Sequence, residues 1–345
     1  MGLRRTLREL PRRFAKATFD PLGFTDPVRC LWSKGIARFC DVRGAEGYWL
    51  APTESLADGA MFREFYAGAR GLVWVRLGTR SRAGLEADLD RFVEFALPSI
   101  CEPFVLVTTD GDVSVPSELR PSTVAALLAS PFLLAWHTQN FDGTGAPRIA
   151  PIPIGLDLHT PRPLSSPARL VKDLRRLAER RPPLDRQPLK VFSDIDLNPS
   201  GPGRVEVVRQ LSGCGHIEFQ RRRVSQRAVW RRYASFPFVL SLAGNGLDCH
   251  RTWEALYLGS IVVTKSSPLD PLYAALPVVI VEDMEELRDP SRLPAWLERC
   301  APLAAPGRIW RQLDAPAWMA RIRAAHFPPE GPQLPSAAGI ARTKS

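Results

Sequence analysis

Residues 236–268 read FPFVLSLAGNGLDCHRTWEALYLGSIVVTKSSP. Phe238 to Leu242 is an apolar run of strand length. Ala243-Gly244-Asn245-Gly246 interrupts it, because glycine and asparagine tolerate the positive φ that a chain reversal needs. Asp248 then offers a side-chain cap for a helix carrying Trp253, Leu256 and Tyr257. Gly259 is the expected stop of that helix, and Ile261 to Thr264 is the next strand. The stretch is a strand–loop–helix–strand unit whose polar residues gather where strand hands over to helix. In an open parallel sheet that edge is where ligands bind.

The same alternation runs through both halves of the chain. Gly71 to Leu77, Phe104 to Thr108, Phe132 to Trp136 and Ile149 to Ile154 read as buried strands. Gly84 to Ile100 places Leu85, Leu89, Phe92 and Val93 on one helical face, and Ser122 opens a short helix to Ala129. Residues 161–188, rich in proline and arginine around one helix, break the pattern and read as a linker. Beyond them Leu189 to Ser193, Ile217 to Phe219 and Val278 to Val281 are strands. Helices are expected at Val205 to Leu211, Ser225 to Tyr233, Glu285 to Arg299 and Ala315 to Ala325. Such alternation predicts parallel sheets covered on both faces. The expected class is α/β with two facing Rossmann-like domains, residues 1–160 and 189–327, and a disordered tail over 328–345.

Composition narrows the function. A length of 345 residues suits two domains, and no apolar run approaches the ~20 residues that span a bilayer. The net charge of +10 is concentrated at the N-terminus, over 169–190 and over 221–232. Those cations sit on helices and linkers without interleaved aromatics, so a nucleic-acid partner is not expected. The first residues, MGLRRTLRELPRRFAKATFD, are basic, with Leu3, Leu7, Leu10 and Phe14 at helical spacing. They lack the apolar core of a secretory signal. They read as a docked helix, with peripheral contact to a membrane surface as the alternative. Six cysteines without a CxxC pair point to reduced thiols, and so to a cytoplasmic setting, rather than to structural zinc.

The chemistry is expected on the loops that follow strands. Around Gly244, Asn245 and Gly246 the backbone can approach a ligand, and the helix beyond them directs a positive dipole end at it. Asp248, His250, Arg251 and Glu254 cluster there, Arg251 as a forked charge suited to phosphate; a plain capped helix is the simpler reading. Ser200 and Arg204, in the loop NPSGPGR, could hold a diphosphate or merely form a turn. Lys265, after the next strand, is a further cation for a leaving group. Asp110-Gly111-Asp112 could hold a divalent ion, but Asp-Gly is also a strong turn pair, and no metal is expected. Asp112, His137, Asp157 and His159 are candidates for the base that an acceptor hydroxyl needs. No GxSxG, Walker A or HExxH pattern occurs, and no GxGxxG follows the first strand, which argues against a nicotinamide or flavin enzyme.

The segment NGLDCHRTWEALYLGSIVVTKSSPLDPLY, residues 245–273, resembles the donor-side motif R-x-W-E-A-L-x-x-G of exostosin-like glycosyltransferases, with Arg251, Trp253, Glu254 and Gly259 in place. PFVLVTTDGDVSVP and WHTQNFDGTGAPRIAPIPIGLDLHT resemble the N-terminal part of related proteins more loosely. The resemblance implies a GT-B type architecture and a metal-independent, inverting transfer without a cofactor. It implies an acceptor-side first domain and a second domain that holds a nucleotide-sugar donor through Arg251, Glu254 and the glycine loop. The acceptor would be a glycan or glycoconjugate hydroxyl. The chain departs from the family pattern at Val262, where proline is frequent, and in showing no N-terminal anchor. The alternatives are a metal-dependent transferase using Asp110 and Asp112, or a non-catalytic nucleotide- or anion-binding protein.

Overall fold

Two parallel sheets carry the chain in the computed structural model, which describes residues 12–23, 28–79, 86–145, 147–195, 201 and 203–327. The first comprises β1 (Gly71–Gly78), β2 (Phe104–Gly111), β3 (Leu133–Thr138) and β4 (Ile149–Pro151), in that spatial order. The second comprises β5 (Val191–Ser193), β6 (Ile217–Phe219), β7 (Phe238–Leu240), β8 (Ile261–Lys265) and β9 (Val278–Val281), ordered β6-β5-β7-β8-β9. All pairings within both sheets are parallel. The protein is α/β, with two Rossmann-like domains as the alternation predicts.

Continuous apolar runs explain why both faces are covered. Leu72 to Val75 and Phe104 to Val107 are fully buried. In the second sheet successive side chains point to opposite faces. Val239 and Val262 join a large core shared with the first domain, whereas Phe238, Leu240, Ile261 and Val263 fill a separate, smaller core. Helices α1 (Gly59–Phe65), α2 (Asp88–Phe95) and α3 (Pro121–Ala129) accompany the first sheet, and α4 (Pro167–Arg180) follows it. The second sheet carries α5 (Arg204–Leu211), α6 (Gln226–Tyr233), α7 (His250–Tyr257) and α8 (Arg292–Cys300), and α9 (Pro306–Gln312) and α10 (Ala315–His326) close the chain. After α7, Gly259 has φ +81° and donates to the Leu256 carbonyl (2.7 Å), while Ser260 donates to Ala255 (2.9 Å). This is the paired closure of a left-handed C-terminal cap, which is why a glycine stands there.

Several expectations change. Residues 161–188 are not a plain linker: α4 packs on α6 and α7 and buries Leu170, Leu174 and Ala178 in the shared core. The expected helix from Glu285 to Arg299 is split into a 3₁₀ turn at Met284–Arg288 and α8, because Pro290 lacks the donor that a continuous helix needs. The helix expected over Gly84 to Ile100 is α2 followed by a 3₁₀ turn at Leu97–Ser99, with Pro98 at the break; its predicted start lies outside the described residues. Helix α10 crosses back to the first domain. Arg29 pairs with Asp314 (2.7 Å), Arg323 with Asp41 (2.7 Å), and the Ala315 amide donates to the Arg29 carbonyl (2.6 Å). The tail expected to be disordered, 328–345, and residues 1–11 lie outside the described residues.

Candidate functional site

The second sheet reverses its strand order between β5 and β7, since the chain leaves β5 for β6 on one side and returns to β7 on the other. Loops leaving two such strands diverge and open a crevice at their carboxyl ends. A cleft of ≈ 330 Å³ lies there. Gly244 to Gly246, Asp248 to Arg251 and Arg204 line one wall. Ser33, Thr53, Glu54, Asp110, Asp112, Gln139 and His159 of the first domain line the other.

The glycine loop is held from below. Arg204 is 1% exposed, and its guanidinium donates to the carbonyls of Ala243 (2.7 Å) and Leu242 (2.9 Å). It therefore shapes the loop as well as lining the cleft. The Gly244 amide donates to the Gly246 carbonyl (2.9 Å), closing a tight turn. Arg251 is locked by an ion pair with Asp194 just beyond β5, and Tyr233 Oη donates to the other Asp194 oxygen (3.0 Å). Burial opposes the charge of Arg251, but Cys249 and Asp194 beside it outweigh that and raise its pKa. The Cys249 thiol sits between Arg251 Nη1 (3.5 Å) and Arg204 Nη2 (3.8 Å).

Asp248 is not a helix cap; α7 begins at His250, behind Cys249, without a side-chain cap. The Asp248 carboxylate instead accepts from the Ile154 amide of the first domain (2.7 Å), the Cys249 amide (2.8 Å) and Trp253 Nε1 (2.8 Å). Its own amide donates to Asn140 Oδ1 (2.9 Å). Asp248 and Asn140 thus fasten the glycine loop to the first domain, and both walls of the cleft are already assembled. Burial pushes the Asp248 carboxyl up to about 7, against the pull of its N–H donors.

On the first-domain wall Asp110 has its carboxylate consumed. Lys34 Nζ lies 2.5 Å from Oδ2, and Thr53 Oγ1 donates to Oδ1 (2.9 Å). A lysine thus already neutralises the Asp110 carboxylate. His159 faces the cleft with Nδ1 3.5 Å from Asp157 Oδ1. Asp157 is bound by Arg162 (2.9 Å) and by the Thr160 amide (3.1 Å). Burial would raise the Asp157 pKa, but His159, Arg162 and His250 outweigh it and hold the carboxylate well below its usual range. His250 reaches across from α7, its Nδ1 2.8 Å from the Gly155 carbonyl and its ring 5.6 Å from that of His159. Burial lowers its pKa. Among the described residues, Asp157, His159 and His250 are the group whose ligand atoms, all within 4.8 Å of one another, could hold a metal ion.

Three sequence candidates do not face the cleft. Glu254 is 4% exposed and accepts from Gln226 Nε2 (2.8 Å) behind the wall, because one helical turn carries it past the first exposed positions of α7. Burial raises its pKa to about 7. His137 points away from the cleft to α10, its Nε2 3.1 Å from His326 Nε2. Burial, then the neighbouring His326, lowers its pKa to about 4. Lys265 is exposed at the carboxyl end of β8, one strand beyond the reversal, and does not line the cleft. Ser200 lies outside the described residues. Asp157 is ion-paired with Arg162 beside His159 rather than standing free as a base. Sequence reading missed Ser33, Thr53 and Glu54, which come from irregular chain with no periodic signal.

No family model matches the chain, and no curated protein matches it in sequence. Solved structures resemble it in fold at low identity. The UDP-forming α,α-trehalose-phosphate synthase of Burkholderia vietnamiensis is 13% identical over 77% of either chain, with a TM-score of 0.43. Anabaena HepE, solved in complex with UDP, is 13% identical over 77% of this chain and 80% of its own, with a TM-score of 0.44.

Proposed function

We propose that the protein is a glycosyltransferase of GT-B architecture, moving a sugar from a nucleoside-diphosphate sugar to a hydroxyl of a glycan or glycoconjugate. The observation that carries this reading is the cleft at the strand-order reversal, with a fixed guanidinium on one wall and an imidazole 3.5 Å from a carboxylate on the other. The departing diphosphate would be stabilised by Arg251 and the amino end of α7, and Arg204 would hold the loop that brackets it. Phosphate suits a forked, permanently charged partner. The acceptor oxygen would attack the anomeric carbon as the bond to the diphosphate breaks, passing its proton to His159 Nε2. The Asp157 carboxylate, 3.5 Å from Nδ1, would stabilise the imidazolium that results, and Asp112 would hold the acceptor hydroxyl. Attack from the face opposite the diphosphate inverts the anomeric centre.

Metal-free transfer fits the Lys34–Asp110 pair, which supplies positive charge where the metal-dependent alternative needs an empty carboxylate. The test is release of nucleoside diphosphate from a panel of nucleotide sugars, with and without a chelator. Release that persists in chelator and disappears in His159→Ala, with nucleotide still bound, is expected. A strict metal requirement would overturn the metal-free mechanism, and binding without turnover would favour the non-catalytic alternative.

A further inference from the structure

Away from the cleft, residues 12–23 lie along the chain that leads into α4. The Leu164 amide donates to Thr18 Oγ1 (3.0 Å), and the Asp20 amide donates to the Ser165 carbonyl (2.9 Å). Three large apolar side chains on these two segments face solvent: Phe14 is 53%, Leu22 62% and Leu164 63% exposed. Leu164 also has φ +51°, a left-handed conformation that costs a bulky residue energy. Holding a leucine there, side chain outward, is unfavourable unless something binds it.

The surroundings are cationic. Arg169, Lys172, Arg176 and Arg227 are all exposed on this face, against the carboxylates of Asp20 and Asp173, and Arg12 and Lys16 are exposed on the N-terminal segment. Asp173 is already paired with Arg227 (3.3 Å). On α4 the spacing of Arg169, Lys172 and Arg176 repeats every three or four residues, so one stripe faces outward while Leu170 and Leu174 face the core. Leu22, Arg169, Lys172, Arg176 and Arg227 line a concavity of ≈ 690 Å³.

We propose that this face docks on a membrane surface rich in anionic lipid headgroups. The stripe of cations matches headgroup phosphates and carboxylates, and Phe14, Leu22 and Leu164 enter the interface between them, as on surface-bound amphipathic elements. A nucleic acid would satisfy the cations but leave the aliphatic side chains in water. The docking does not depend on the transfer reading. Leu164 follows His159 by five residues, at most ~18 Å of extended chain, so a docked surface lies close beside the cleft. That placement suits an acceptor hydroxyl carried on a lipid, a corollary that does rest on the transfer reading.

The experiment is co-sedimentation of the whole chain with phosphatidylcholine vesicles, with and without phosphatidylserine, at low and high salt. Binding is expected only to the anionic vesicles and should fall steeply with salt. Reversing Arg169, Lys172 and Arg176 to Glu should weaken it by roughly a hundred-fold, at about one kcal/mol for each cation lost. Leu164→Asn relieves the backbone strain, so it should raise the melting temperature and still weaken vesicle binding; a purely structural leucine would not separate the two. Unchanged anionic-vesicle affinity in both variants, equal binding to neutral vesicles, or tighter binding to duplex DNA than to the vesicles would overturn the proposal. Nucleotide binding should be untouched by both variants, so vesicle docking and sugar transfer fail independently.

Discussion

Replacing Gly244 by alanine separates the glycine loop's role in the fold from its role toward a ligand. A Cβ at this position would lie 3.4 Å from Arg204 Nη2 and 3.8 Å from Cys249 Sγ, ordinary van der Waals contacts. Gly244 does not have a positive φ, so alanine is compatible with the backbone and removes freedom from the unfolded chain. Stability should be unchanged or rise by about 0.4–1 kcal/mol. On the proposed donor placement, the added methyl crowds the wall of the cleft beside Arg204 and Cys249 where the diphosphate would lie. Losing even one charge-assisted hydrogen bond costs about 1.5–3 kcal/mol, a roughly ten- to hundred-fold weaker affinity. Calorimetric titration with nucleoside diphosphates, alongside a melting curve, reads both quantities. The control is Gly246→Ala, whose Cβ would lie 2.7 Å from Asn140 Nδ2 and Oδ1. It must disrupt the bond between Asn140 and Asp248, and so should lower the melting temperature as well as affinity. A Gly244→Ala protein with unchanged stability and unchanged nucleotide affinity would refute the placement of the donor against this loop.

Further outcomes follow from the other walls. His159→Ala should lower turnover by roughly 10²- to 10⁴-fold while leaving nucleoside-diphosphate affinity nearly intact, measured by steady-state kinetics beside calorimetry; loss of both together would make His159 a binding group. Glu254→Gln tests a buried carboxyl raised to about 7. A raised acid stabilises the fold fully below its unfolded value and loses that contribution as pH rises through about 7. The variant should therefore gain melting temperature over the parent at pH 8, gain none at pH 5, and bind nucleotide as the parent does. His137→Gln tests the opposite sign, because the folded pKa of His137 is depressed to about 4. Its contribution is present above pH ~6.5 and is lost as pH falls toward 4, by up to ~3 kcal/mol. Parent and variant should diverge in urea melts across that window only.

The strands and their order of appearance were legible because buried parallel strands are unbroken apolar runs, as at Phe104 to Val107. Gly259 was legible because a left-handed cap is a local need. Asp248 was misread for a related reason: a local rule made it a helix cap, whereas its carboxylate is consumed by the Ile154 amide, 94 residues away. Arg251 was singled out for its charge, but its fixing partner, Asp194, comes from the loop after another strand. Lys34 and Asp110 likewise meet only in the folded chain. Periodicity reports which face a residue takes, not which distant group it meets. For the same reason His137 was counted with the cleft, although β3 turns it to α10. The 3₁₀ turn at Gly35–Phe39 and the irregular chain to Thr53 bring Ser33, Thr53 and Glu54 into the cleft, without a repeat that could announce them.

The central claim is that the cleft between Arg251 and His159 receives a nucleoside diphosphate. Thermal melting of the whole chain against a series of nucleoside mono- and diphosphates tests it most directly, since a ligand that binds only the folded state stabilises it by about 2.7 kcal/mol at a hundred times its dissociation constant. The account predicts a melting temperature that climbs with diphosphate concentration, and climbs less in Gly244→Ala. A melting temperature indifferent to every nucleoside diphosphate at millimolar concentration would contradict it.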